Sequence, residues 1–113
     1  MSDAPGNDAS PEDVCARARA LIAAALQRQP PEFGQEVDEI ERTVARLRDA
    51  LIERLRREDA AGADTARTRR ALDPVNAVLS LVVGVEYPAG GVHRELLEQA
   101  GAALEAVPAE ALA

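Results

Sequence analysis

The stretch VDEIERTVARLRDALIERL, residues 37–55, decides the fold class. Its residues Val37, Ile40, Val44, Leu47 and Leu51 are spaced three, four, three and four apart, and Leu55 follows four later. A strand would bring every second residue to one face, so this period selects a helix. The pattern is also a heptad seam. Branched Val37 and Val44 occupy one set of positions and Ile40 and Leu47 the other, which suits knobs-into-holes packing against neighbouring helices. Asp38 with Arg42 and Glu53 with Arg57 add acid-before-base pairs at i,i+4. Acids gather at the start (Glu32, Glu36, Asp38, Glu39, Glu41) and arginines near the end (Arg54, Arg56, Arg57), as the helix dipole favours. A helix is expected from Gln35 to Ala60, about 40 Å long at about 1.5 Å per residue. Gly62 stands where it should end.

Towards the N-terminus, Ser10-Pro11-Glu12-Asp13 places a hydroxyl at the N-cap, proline at the first helical position and acids in the first turn. A first helix is expected from Pro11 to about Gln29, with Val14, Ala18, Leu21, Ile22, Ala25 and Leu26 on one face and Pro30-Pro31 stopping it. Residues 1–9 have the composition of a disordered tail.

Towards the C-terminus, Asp64-Thr65 offers an N-cap, and Leu72, Val75, Leu79 and Val82 recur at helical intervals. Pro74 interrupts them, either as the first position of a fresh helix capped by Asp73 or as a kink in one long helix. The valines between Val78 and Val85 also allow a strand, closed as a hairpin through Pro88-Ala89-Gly90-Gly91. The helical spacing outweighs it, and the reading is a third helix kinked or broken at Pro74. After the Pro88–Gly91 loop a last helix is expected from Val92 to Val107, burying Leu96, Leu97, Ala100, Ala103 and Leu104. Pro108 ends it, and residues 109–113 are expected to fray. Four amphipathic segments with short joins predict an all-α fold: an antiparallel bundle of about four helices, one domain over residues 10–108 behind a disordered N-terminal tail.

Composition narrows the chemistry. Of 113 residues 24 are alanine, with one Phe, one Tyr and no Trp, so the core must be aliphatic and thin. Cys15 is the only cysteine and His93 the only histidine, which excludes disulfide frameworks, Cys/His zinc sites and haem attachment within one chain. A di-iron carboxylate bundle needs two Glu-x-x-His motifs, and the residue three before His93 is Gly90. No metal and no cofactor are expected. All 13 basic residues are arginine, so lysine Schiff bases and a P-loop lysine are absent. A net charge of -7 argues against a nucleic-acid partner. Arg54-Arg56-Arg57 and Arg67-Arg69-Arg70 flank the Gly62 turn, but Glu53, Glu58, Asp59, Asp64 and Asp73 sit among them. The longest apolar run, Ala20 to Leu26, falls far short of the roughly 20 residues of a membrane span. No signal-like stretch opens the chain, and a cytoplasmic location with Cys15 as a small buried hydrophobe is expected.

Two sites suggest themselves. Two glycines ahead of a helix expose amides that can hold an anion, so Tyr87, Gly90, Gly91, His93 and Arg94 form a candidate ligand site. Phosphoryl transfer through His93 is disfavoured, because Glu95 would repel the group and His93 lies at a helix start. The second candidate is the seam itself, Val37, Ile40, Val44, Leu47, Leu51 and Leu55, as a self-association face. The expected function is a non-enzymatic helical interaction or adaptor module that forms a homo-oligomer or takes a protein partner. The alternative is a small-anion or ligand-binding bundle, with or without catalysis, using the Tyr87–Arg94 loop.

Overall fold

The computed structural model of the chain describes residues 10–27, 34–86 and 93–113, and every regular element among them is a helix. These are α1 (Pro11–Leu26), α2 (Gly34–Ala60), α3 (Ala66–Glu86), α4 (His93–Glu105) and a short α5 (Ala109–Leu112). The helix α1 packs on α2 and α4, and α3 packs on the same two, so α1 and α3 lie on one diagonal and α2 and α4 on the other. Successive helices run antiparallel: Arg17 meets Glu39 across α1 and α2, and Arg54 meets Thr68 across α2 and α3. The all-α bundle read from the periodicities is the observed fold.

The local signals act where the sequence places them. Ser10 caps α1, its Oγ accepting from the Asp13 amide at 3.2 Å, with Pro11 opening the helix. The helix stops at Leu26, three residues before the expected Gln29. At the end of α2, Gly62 adopts φ 70°, the Ala63 amide reaches the Glu58 carbonyl at 2.8 Å and the Gly62 amide reaches Asp59 at 3.1 Å. This is a Schellman closure, which needs the left-handed conformation that glycine takes without strain. Asp64 Oδ1 then accepts from the Ala66 amide at 3.0 Å, and the Arg69 amide bonds the Thr65 carbonyl to start α3.

Pro74 lies inside α3, which runs through it from Ala66 to Glu86. A fresh helix at Asp73-Pro74 is therefore not formed, and the strand reading of residues 78–85 is overturned. Val75, Val78 and Val82 all face the core at helical intervals, and their burial outweighs both the β-preference of valine and the one backbone bond that proline removes. The last helix ends at Glu105, and residues 109–113, expected to fray, form a helical turn instead. Ala111 and Leu112 are 0% and 5% exposed, so apolar burial holds a segment too short to be helical alone. Residues 1–9, the expected tail, lie outside the described residues, as do residues 87–92.

The heptad seam is the backbone of the core. Val37 is 3% exposed and Ile40, Val44, Leu47 and Leu51 are fully buried, covered by α1 and α3 of the same chain. Their expected role as a surface for self-association is thus corrected: α2 is flanked on both sides, and the seam is consumed inside the bundle. Leu55 alone is half-buried. Small residues let the helices close around it. Ala18 and Ala25 on α1, Ala71 on α3 and Ala100 on α4 are all completely buried. At Gly101 of α4 a side-chain Cβ would stand 3.3 Å from Ile22 Cγ2 of α1, so the Ile22 side chain packs closely over the α4 backbone there.

This closeness sets a graded expectation at position 101. Gly101→Ala should change unfolding free energy by less than about 1 kcal/mol, because helix propensity gained offsets a tight contact. Gly101→Val should cost about 1–3 kcal/mol by overpacking, measured by urea denaturation.

Candidate functional site

Of the loop candidates, Tyr87, Gly90 and Gly91 lie outside the described residues. His93 opens α4, and Arg94 is exposed with its guanidinium 3.6 Å from Glu98, an ordinary i,i+4 pair on a solvated face. Among the described residues no group of three or more His, Cys, Asp or Glu side chains is placed to hold a metal ion. Cys15 is 2% exposed, and burial raises its thiol above the usual range, with Arg19 opposing. Such a thiol is a core group rather than a nucleophile.

The arginines flanking the Gly62 turn do different work from one another. Arg56, Arg57, Arg67, Arg69 and Arg70 are exposed. Arg54 is turned inward, its side chain only 13% exposed. Its Nε donates to Thr68 Oγ1 at 3.0 Å, and Thr68, fully buried, donates its hydroxyl to Glu58 Oε1 at 2.7 Å. The Glu58 Oε2 atom lies 3.8 Å from Arg54 Nε. One terminal nitrogen of Arg54 donates to the Leu112 and Ala113 carbonyls at 3.4 and 3.0 Å, and the other donates to the Ala111 carbonyl. Burial first, and then the positive field of Arg67, push the guanidinium below its usual value, while Glu58 opposes them. The arrangement satisfies the buried hydroxyl and joins α2, α3 and α5 at one end of the bundle.

A second feature lies on the outer side of the α2–α3 pair. Arg48 lines a shallow cleft with Asn76, Leu79, Ser80 and Val83. Along α2, Ala45, Arg48, Ile52 and Leu55 are spaced three, four and three apart, and all four are half-buried. Along α3, Leu72, Asn76, Leu79 and Val83 follow at four, three and four. Leu72 and Leu79 pack against the edge of the core, and Val83 is 37% exposed. Each helix therefore carries two stripes with the same repeat, one facing the core and one turned towards the outer groove. Sequence reading merged them on α3, where Leu72, Val75, Leu79 and Val82 look like one face. On α2 it missed the second stripe, whose signal is a repeat of the seam shifted by one residue at Arg48 and Ile52.

Set beside protein families, curated proteins and solved structures, the chain matches none of them.

The Thr68 hydroxyl bridges a guanidinium and a carboxylate that its removal would leave partly unpaired in a buried site. Thr68→Val should accordingly lower unfolding free energy by about 1–3 kcal/mol with helicity unchanged, read by urea denaturation followed by circular dichroism.

Proposed function

We propose that this chain is a non-enzymatic helical interaction module that self-associates, with the outer α2–α3 groove in place of the buried seam as its contact surface. The observation that supports the reading is a pair of stripes, half-buried Ile52 and Leu55 on α2 and Leu72, Leu79 and Val83 on α3, with Leu79 and Val83 lining the cleft that Arg48 of α2 shares. Two adjacent helices with stripes at this repeat present the kind of groove into which the same stripes of a second copy can interdigitate. Leu55, expected at the interface from the heptad, belongs to this stripe.

A second copy fits the charge pattern of the surroundings. Asp49 and Arg56 on α2 and Arg69 and Asp73 on α3 are exposed next to the groove and include both signs on each helix. A two-fold contact sets the same patch against itself, so mixed signs allow acid to meet base, whereas the chain's overall charge of -7 would repel elsewhere. Asn76 and Arg48 interrupt the apolar stripe, and polar groups at such positions trade stability for a defined register. An acidic chain whose lone cysteine is buried accords with action in the cytoplasm.

Light scattering coupled to size-exclusion chromatography tests the reading. At high micromolar concentration the chain should elute at twice its 12.0 kDa mass. Val83→Glu and Ile52→Glu should each return it to a monomer with unchanged helicity, since neither side chain belongs to the buried core. A parent chain that stays monomeric throughout contradicts the self-association.

A further inference from the structure

The segment after α4 is attached to the bundle in an unusual way. Pro108 stands between α4 and α5 in an extended conformation (φ -64°, ψ 132°), which separates the two helices. The short α5 packs on α1 and α3 but not on α2 or α4. Its tie to α2 is the side chain of Arg54, which donates to the carbonyls of Ala111, Leu112 and Ala113. Its apolar anchorage is Leu112 with the small Ala111. Closure of this end thus rests chiefly on one leucine and one guanidinium.

The segment lies beside the start of α1. Leu112 and Ala113 share a cleft with Ser10, Pro11 and Glu12 at the start of α1 and with Arg54 and Arg57 on α2. Val14 and Cys15, one turn further along α1, are the first buried residues of that helix. We propose that residues 109–113 form a reversible cap over this end of the bundle, held shut by Arg54, whose opening exposes the Cys15 thiol while the four long helices stay packed. Segments with few apolar anchors open at lower free energy than the whole domain unfolds. The cap has its own hinge at Val107-Pro108 and leaves the seam of α2 untouched when it lifts. This inference is independent of self-association through the outer groove, which lies on another face of α2.

The single thiol supplies the readout. The full chain is reacted with an aromatic disulfide reagent through a series of urea concentrations below the unfolding transition, alongside Arg54→Gln and Leu112→Ala. In the parent, labelling should depend on urea less steeply than global unfolding does. Each substitution should speed it by about tenfold or more, the scale expected for losing charge-assisted hydrogen bonds or a buried leucine, with helicity retained. A urea dependence equal to that of global unfolding, or unchanged rates in both variants, overturns the cap. Acceleration in Leu112→Ala alone overturns the role of Arg54. If Arg54→Gln does not fold, Arg54→Lys, which keeps the charge but loses the planar fork, is measured in its place.

Discussion

The bundle is organised around the burial of one column of side chains on α2, from Val37 to Leu51, onto which α1 and α3 both pack. A fully buried leucine or valine stabilises a fold by about 1.5–3 kcal/mol relative to exposure, and five such residues stand in series here. Among the described residues there is no Trp, Phe or Tyr, so no large ring bridges a gap between them. The neighbours must come close instead, and alanines on α1, α3 and α4, with Gly101 against Ile22, permit it. Alanine abundance is therefore the packing counterpart of the seam: small residues set among the larger aliphatics of the neighbouring helices let them close on it.

Polar groups complete what apolar packing leaves open at the bundle end. Arg54 stands on the flank of the seam, where a solvent-facing arginine would contribute little, yet burial gives its hydrogen bonds a larger share in stability. By binding Thr68 and the carbonyls after Pro108, it connects parts of the chain that are 14 and more than 50 residues apart. The exposed pairs Arg17–Glu39 and Arg56–Glu53 are, by contrast, solvated contacts worth well under about 1 kcal/mol each.

Local chemistry made the helices legible in the sequence. The Ser10 cap, the Gly62 stop, the Asp64 start and the seam period are all short-range signals, and each acts where it was read. Residues that depend on partners distant in sequence were not legible. Nothing near Leu112 marks it as buried, because the arginine that holds its segment is on α2. The seam announced that it must be covered but not by what, since an intramolecular neighbour and a second copy leave the same heptad. Pro74 left open a break or a kink, and the helix that runs through it, burying Val75, Val78 and Val82, excludes the break. The outer stripe escaped because its repeat, one residue out of step, runs beside a stronger one.

The central claim is that the α2 seam is covered within one chain and that the outer groove remains for another. The most direct test is equilibrium unfolding of Leu47→Ala against the parent at several protein concentrations. Intramolecular burial predicts a cost of about 2–5 kcal/mol that persists undiminished at the lowest concentration, because no partner is needed to cover Leu47. A cost that shrinks towards zero on dilution would show that the seam is buried by a second molecule, and would contradict the account.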